Sequence, residues 1–306
     1  MTLEPIVLTN NYAKALILPR AGGRIIGFEA LGREWLWRNP ELISKSGHFI
    51  EKPEIAQLST TLGTWKNWGG DKSWPAPQGW NSRDEWAGPP DPILDSGPYF
   101  AEVSEGGHRC RMTSASDPRT GLKIERTIEL TPDSPGLLLT TKMTNISTEK
   151  RTWACWTVTQ VAIDEVQGVE VPKVIVEQNQ SFSPVTLFES VGKPTAKLTK
   201  NGHYEIHVED VVGKLGFPGA SGLVELHSSN NLVFRQTFNV YKSKPYPDQN
   251  SKVEIWMQYP ISTPIESLAG LKLTAALVEL ECLGPLEILQ PGQSTSLDVS
   301  WTVFKK

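Results

Sequence analysis

Cysteine is scarce in this sequence, and neither long apolar runs nor an excess of basic residues is present. The three cysteines, Cys110, Cys155 and Cys282, lie far apart among 306 residues. An odd and widely spaced set argues against a disulfide framework and suits a reducing cytosol. Because Cys155 and Cys282 lie in apolar runs, we expect buried core residues there rather than reactive thiols.

The charge balance is slightly acidic, with 34 acidic against 30 basic residues and a formal charge of −4. This balance provides no excess of positive charge that would attract a nucleic-acid backbone or an anionic bilayer. The apolar run Ile6-Val7-Leu8 is too short for a secretion signal or a membrane span. We therefore expect a cytoplasmic protein without nucleic-acid or membrane partners.

Several sequence motifs for cofactors and nucleophiles are also missing. The sequence contains no GxxxxGK[ST], no GxGxxG after a strand and no GxSxG, which argues against kinases, dinucleotide-dependent dehydrogenases and α/β-hydrolases. His203 and His207 have the spacing of a helical zinc pair. On a strand, however, their rings would lie about 13 Å apart, too far to share one ion. We expect no cofactor and no metal site.

What the sequence does contain is the alternation of β-strands. In His203-Tyr204-Glu205-Ile206-His207-Val208-Glu209, polar and apolar residues alternate with period two, which predicts a strand. Similar runs recur between turn signals such as Ala21-Gly22-Gly23 and Pro291-Gly292, and no stretch of 12 residues has a convincing helical period. The pattern predicts a single all-β domain over residues 1–306, one large antiparallel β-sandwich.

One segment, at about residues 61–99, breaks this pattern. It is rich in Trp, Pro, Gly, Asn and Asp, and it holds five of the 11 tryptophans. Long loops inside a domain are usually functional or disordered, and disordered segments are poor in aromatic residues. We therefore predict an ordered loop insertion that folds over the sheet and marks the site.

Tryptophans with polar neighbours are typical of sugar sites, because an indole face covers the C–H face of a sugar ring while its neighbours hydrogen-bond the hydroxyls. In the loop, Trp74 and Trp80 are accompanied by Asn67, Asp71 and Lys72. The alternative is that these rings close the end of the sandwich as a small satellite core. For the group as a whole, we favour a site with aromatic walls and a polar floor.

Two glutamates near the C-terminus form a second candidate. Glu279 and Glu281 fall on one face of a predicted strand, opposite Val278, Leu280 and Cys282. If that face meets solvent, the carboxylates are ordinary surface charges. If it lines the concave face of a curved sheet, one of them is placed to accept a proton.

Three segments resemble the galactose-mutarotase-like superfamily of aldose 1-epimerases and hexose-6-phosphate epimerases. They are residues 6–39, Gly69-Gly70-Asp71-Lys72-Ser73-Trp74-Pro75, and Val278-Glu279 followed by Leu289-Gln290-Pro291-Gly292. The run from Asn67 to Gln78 is also similar to the signature of an uncharacterised bacterial family within this superfamily, with a GGxKxWPAPQ-type motif. The resemblance implies a single β-supersandwich, with Glu279 on the strand of the catalytic glutamate.

The sequence departs from the epimerases at one catalytic position. Where they keep a histidine, the register of the resemblance gives Trp156, with Gln160 on the same face. Mutarotation needs a base for the anomeric hydroxyl and an acid for the ring oxygen. Glu279 could be the base, and Lys72 could replace the acid only if burial lowered its pKa towards neutrality.

These observations predict a protein that binds a sugar or sugar derivative without a cofactor. A sugar isomerase or epimerase is the first choice, and a non-catalytic sugar-binding or sensing module is the main alternative. An accessory domain of a lyase or hydrolase is a third. Lys72 would also suit an anionic sugar such as a uronate or phosphate. The expected site residues are Glu279 and Lys72 for catalysis, and Asn67, Asp71, Trp74, Trp80, Trp156, Gln160 and Glu281 for binding.

Overall fold

The structure, a computed structural model, describes residues 3–51, 53, 61–79, 85–163, 172–179, 181–208, 210–228 and 231–306. Nearly all regular structure in this part of the chain is β-strand. The strands up to residue 162 are β1 Ile6–Thr9, β2 Ala13–Leu18, β3 Arg24–Ala30, β4 Arg33–Glu34, β5 Asp71–Ala76, β6 Phe100–Val103, β7 Arg109–Thr113, β8 Leu122–Leu130, β9 Gly136–Asn145 and β10 Arg151–Ala162. The later strands are β11 Lys173–Gln178, β12 Val185–Val191, β13 Lys197–Leu198, β14 His203–His207, β15 Val212–Phe217, β16 Ala220–His227, β17 Leu232–Phe238, β18 Val253–Gln258, β19 Leu277–Leu283, β20 Glu287–Leu289 and β21 Ser294–Lys305.

Short helical turns at Leu62–Thr64, Pro247–Asn250 and Glu266–Leu268 complete the described elements. Over the described ranges, no helix has the length and apolar character needed to span a bilayer.

The strands form two antiparallel sheets. The first sheet has the order β1-β2-β3-β5-β10-β19-β18-β15-β12, with β4 beside β3 and β20 beside β10. The second has the order β13-β14-β11-β16-β17-β21-β9-β8-β7-β6. Strands close in sequence are often neighbours, whereas β5, β10 and β19 meet at the centre of the first sheet from distant parts of the chain. The all-β antiparallel sandwich predicted from the sequence is confirmed.

Apolar and aromatic side chains fill the space between the sheets. Phe28 of the first sheet meets Trp301 of the second with ring centroids 5.5 Å apart, and Phe234 lies 5.2 Å from Trp301. Cys155 and Cys282 are free and buried, as their apolar neighbours predicted.

The Trp-rich segment at residues 61–99 contains a central strand and is therefore not the continuous loop that we expected. Asp71–Ala76 forms β5, which pairs with β10 over six residues, from Asp71–Thr159 to Ala76–Ala154. Every residue of β5 is buried. A strand covered on both faces shows no polar alternation, so its sequence gives no period-two signal.

Gly69 and Gly70 lead the chain into β5. Both have positive φ, 92° and 74°. A Cβ on Gly70 would lie 2.2 Å from the carbonyl oxygen of Ile25, and one on Gly69 would lie 2.5 Å from that of Trp37. The glycine pair therefore allows β5 to enter the sheet beside β3, where a residue with a side chain would collide with the backbone.

Candidate functional site

A cleft of about 510 Å³ lies on the face of the first sheet that is turned away from the second sheet. Aromatic residues and a few polar side chains dominate its walls, the composition expected of a small-molecule site. It is lined by Leu62, Trp65, Trp74, Gln78, Gly79, Pro89, Trp156, Leu187, Phe188, Lys214, Asp248, Gln249, Glu254, Trp256, Gln258, Leu268, Leu271 and Glu279.

Glu279 of β19 provides a carboxylate in this cleft. Its Oε1 accepts hydrogen bonds from Gln160 Nε2 at 2.6 Å and from Lys72 Nζ at 3.1 Å. Gln160 faces Glu279 directly across the β10–β19 ladder. The Glu279 side chain is 13% exposed, whereas that of Lys72 is 1% exposed. The two donors fix the orientation of a carboxylate that still reaches the cleft.

Lys72 lies beneath Glu279 and is not among the residues that line the cleft. Its Nζ is 4.9 Å from the centroid of the Trp74 ring. Burial lowers the pKa of the Lys72 ammonium below its ordinary value, although the carboxylate of Glu279 opposes this effect. An acid that protonates the ring oxygen of a sugar near neutral pH would need its pKa lowered in this way. Because Lys72 does not line the cleft, it can act on a ligand only through Glu279.

The tryptophans of the Trp-rich segment pack against one another around Trp74. The ring of Trp74 lies 5.0 Å from Trp86, 5.4 Å from Trp156 and 6.0 Å from Trp65. Trp74 and Trp156 are each 4% exposed, so they form the back wall of the cleft. Trp65 and Trp256 are only half-buried and present more surface to a ligand.

A second group of charges lies beside the back wall. Lys214 Nζ of β15 is 2.5 Å from Glu254 Oε2 and 2.8 Å from Glu281 Oε2. Glu254 and Glu281 face each other across the β18–β19 ladder. Both carboxylates are fully buried, so two acids share one ammonium.

Burial sets the protonation of this group. It raises the pKa of Glu281 to about 7 and that of Glu254 well above its ordinary value, in spite of Lys214. Burial also disfavours the ammonium of Lys214, but the two carboxylates outweigh it and raise the pKa of Lys214. Burial therefore favours one protonated carboxyl in this group over two ionised ones.

Trp156, at the position that resembles the epimerase histidine, is tied to this group. Its Nε1 donates to Glu281 Oε2 at 2.7 Å, and Lys214 Nζ lies 4.6 Å from its ring centroid. Its N–H is thus used inside the protein, and a ligand would meet the ring alone.

Two of the expected binding residues do not face the cleft. Asp71 precedes Lys72 on β5 and therefore points to the opposite side, between the sheets. There it pairs with Arg126 and accepts from Thr159 Oγ1 at 2.6 Å. Asn67 Oδ1 accepts from the backbone N–H of Gly69 at 3.1 Å and is not a lining residue. We correct the expectation for both residues.

The other predicted residues divide into two layers. Trp74, Trp156 and Glu279 line the cleft, while Lys72, Gln160 and Glu281 lie behind it and bind its lining residues. Trp80 lies outside the described residues.

The sequence analysis missed the wall formed by β15 and β18. Glu254, Trp256 and Gln258 alternate with Val253, Ile255 and Met257 and all line the cleft. The period of two places these three residues on one face of the strand, which could have revealed them as a group. Lys214 carries no such signal, because its partners lie 40 and 67 residues away in the chain.

A backbone turn at the rim completes the cleft. Asp248 and Gln249 both line it and both have left-handed backbone angles, with φ of 49° and 60°. The turn is closed by a hydrogen bond of 2.9 Å from Ser251 N to Pro247 O.

No group of three or more metal-ligating side chains occurs among the described residues. His203 and His207 both lie on β14, the strand expected for them.

The family model described as "Domain of unknown function (DUF4380)" matches residues 3–304. A search of curated proteins finds no match.

Solved structures similar to the whole chain share its fold at low sequence identity. A galactose mutarotase-like protein from Lactobacillus casei ATCC 334 is 13% identical with a TM-score of 0.60, over 98% of this chain and 100% of that one. Slr1438 from Synechocystis sp. PCC 6803 is also 13% identical with a TM-score of 0.60, over 99% and 96%. A galactose mutarotase related enzyme from Lactobacillus acidophilus is 14% identical with a TM-score of 0.56, over 98% and 97%. The fold is therefore galactose mutarotase-like.

Proposed function

We propose that this chain, which belongs to the DUF4380 family, binds a sugar and interconverts the two anomers of that sugar. Because the description of the family names no activity, the cleft is the basis of this proposal. The observation that carries the proposal is the Glu279 carboxylate, which is held by Lys72 and Gln160 at the floor of an aromatic cleft. The fold shared with mutarotase-like proteins supports it by analogy.

Binding is assigned to the half-buried aromatic rings and to the polar groups beside them. Trp65 and Trp256 offer apolar faces to the C–H face of a sugar ring. Glu279, Lys214 and Gln258 supply hydrogen-bonding groups from the sheet side. The combination of a few convergent polar groups with aromatic walls suits a compact polyol.

In the proposed reaction, Glu279 is the base. It removes the proton of the anomeric hydroxyl, the bond between C1 and the ring oxygen breaks, C1 becomes a carbonyl, and the ring oxygen takes a proton from an acid. Rotation about the C1–C2 bond and the reverse steps then give the other anomer. Every proton is returned, so the reaction needs no cofactor.

We assign the acid to the group formed by Lys214, Glu254 and Glu281, with Glu254 as its donor. Glu254 is one of the residues that line the cleft, its side chain is fully buried, and its Oε1 has no hydrogen-bond partner among the described residues. Since two carboxyls share one ammonium, one of them retains a proton. Diagonal neighbours across an antiparallel pair lie about 7–8 Å apart at their Cα atoms, so Glu254 and Glu279 can act at opposite edges of one ring.

A non-catalytic sugar-binding module is the second candidate, and the contacts of Trp156 favour it. The indole cannot replace an ionisable histidine, and its N–H is already donated to Glu281. In that case the cleft would bind the ring without transferring protons.

Tryptophan fluorescence during titration with a panel of hexoses tests the binding step that both candidates share. We expect a saturable change, because Trp65, Trp74, Trp156 and Trp256 line the cleft. Trp256→Ala should weaken binding at least about tenfold, since it removes a large apolar contact.

The matched control is Phe100→Ala, which removes an exposed aromatic ring from the second sheet and should leave binding unchanged. No response of the wild-type protein to any hexose would contradict both candidates.

A further inference from the structure

The charges around the cleft decide which class of sugar it accepts. Among the described lining residues, Lys214 is the one cation, and it is accompanied by three carboxyl groups, those of Asp248, Glu254 and Glu279. The buried residues behind the lining add Lys72 and Glu281.

Lys72 cannot serve an anionic ligand, although its place in the sequence suggested that role. Its Nζ is 3.1 Å from Glu279 Oε1, and the Lys72 side chain is 1% exposed. An anion that competed for this ammonium would have to displace a carboxylate and enter a desolvated pocket, which is unfavourable.

Lys214 is also paired with carboxyl groups of the protein. It lies between Glu254 and Glu281, at 2.5 and 2.8 Å. Even with one of these carboxyls protonated, the ammonium is already neutralised by the other. Arg24, which lies near Lys72, is likewise paired with Asp95 at 2.5 Å. Among the described residues, the cations in and behind the cleft therefore leave no positive charge for a phosphate or a uronate.

Asp248 is the opposite case, a carboxylate without a counterion. Within the described part of the chain, no hydrogen bond or ion pair reaches its side chain, although it lines the cleft and is only half-buried. Its backbone is left-handed, with φ of 49°. Asp is one of the few residues other than glycine that adopt such angles readily, so the turn can hold this side chain at the rim.

The aromatic walls suit the same type of ligand. Ring faces attract cations, and Trp binds them best. Trp65, Trp256 and Phe188 are half-buried around the cleft, so a cationic group could contact both a ring face and a carboxylate.

We propose that the cleft selects an amino sugar, whose ammonium binds the free carboxylate of Asp248 while Glu279 faces the anomeric centre. This inference rests on the proposed sugar-binding function and names its substrate class. It also assigns Asp248 as the residue that determines specificity.

The test compares ligands that differ only in charge at one carbon. Wild-type protein is titrated with glucose, 6-amino-6-deoxyglucose and glucuronate, and with the corresponding galactose and mannose sets, below the pKa of the amines. Tryptophan fluorescence reports the dissociation constants. We expect the amino sugar of the preferred set to bind about tenfold more tightly than its parent hexose, and the uronate to bind more weakly than the hexose.

Asp248→Asn tests the assigned residue. Asn tolerates a left-handed backbone, so the turn should persist and the tenfold advantage of the amine should disappear, with little change for the parent hexose. Asp133→Asn, in an exposed turn between β8 and β9, is the matched control and should retain the advantage.

The outcomes separate the two proposals. A uronate that binds as tightly as the hexose, an amine without advantage, or an advantage that survives in Asp248→Asn would overturn the amino-sugar proposal and leave sugar binding intact. If no member of any set binds, the proposed function fails, and the amino-sugar proposal fails with it.

Discussion

At the scale of single residues, the most unusual feature is one partly exposed ammonium shared by two fully buried carboxyls. Lys214, whose side chain is 16% exposed at the cleft, joins Glu254 and Glu281, whose side chains are fully buried. Burying charge is costly unless the charge is neutralised. A proton kept on one of the carboxyls reduces that cost, and the acid role that we propose for this group depends on that proton.

The protonation of Glu281 can be measured through the pH dependence of the protein's stability. Burial raises its pKa from 4.5 to about 7, so between these values the folded protein binds a proton that the unfolded chain has released. The stability contributed by this group is therefore present below pH 4.5 and is lost as the pH rises towards 7. In Glu281→Gln this loss should be absent.

Urea denaturation of both proteins at pH 5, 6 and 7 measures the difference. We expect the free energy of unfolding of the wild type to fall relative to Glu281→Gln by on the order of 2 kcal/mol from pH 5 to pH 7. A difference that does not change with pH would show that Glu281 is ionised throughout this range.

At the scale of elements, β5 positions the site. It lies between β3 and β10 and places Lys72 and Trp74 on the cleft side, with Asp71 on the other side. Its entry depends on the close approach of Gly70 to the backbone of Ile25.

Gly70→Ala should therefore destabilise the fold by about 3 kcal/mol or more, because it combines a left-handed backbone with a steric collision. Gly292→Ala is a matched control. Its φ is also positive, 79°, but nothing lies within 4 Å of the added Cβ, so it should cost only about 1 kcal/mol. Chemical denaturation of the two variants measures their free energies of unfolding. Equal losses of unfolding free energy would mean that the backbone at the start of β5 moves to accommodate the added Cβ without cost.

The elements also show where sequence reasoning succeeds. The sequence of β8, Leu122–Leu130, alternates polar and apolar residues, and the strand buries one face, so period-two reasoning applies to it. β5 was missed because it buries both faces. β15 was missed because Gly213 and Gly216 interrupt its pattern.

At the scale of the whole molecule, the site is assembled from strands far apart in the sequence. Glu279 meets a lysine 207 residues away and a glutamine 119 residues away. The pairing of Glu279 with Glu281 on one face followed from the strand period, and the resemblance to epimerases singled out Lys72, Trp156 and Gln160. Neither source indicated Lys214 or Asp248, whose roles depend on the order of strands in the sheet and on the turn at the rim.

The central claim is that Glu279 acts as a base on a bound sugar. Exchange NMR measures the interconversion of the anomers of the sugar that binds most tightly, with wild-type protein, with Glu279→Gln and without protein. Gln is nearly isosteric and keeps an oxygen that can accept from Lys72 and Gln160. Glu129→Gln, an exposed position of the second sheet, serves as the control.

The account predicts that wild type and Glu129→Gln accelerate the exchange equally, and that Glu279→Gln lowers this acceleration by about 10²-fold or more. An exchange rate with the wild-type protein equal to the rate without protein would contradict the assignment of Glu279 as a base and would leave a sugar-binding module.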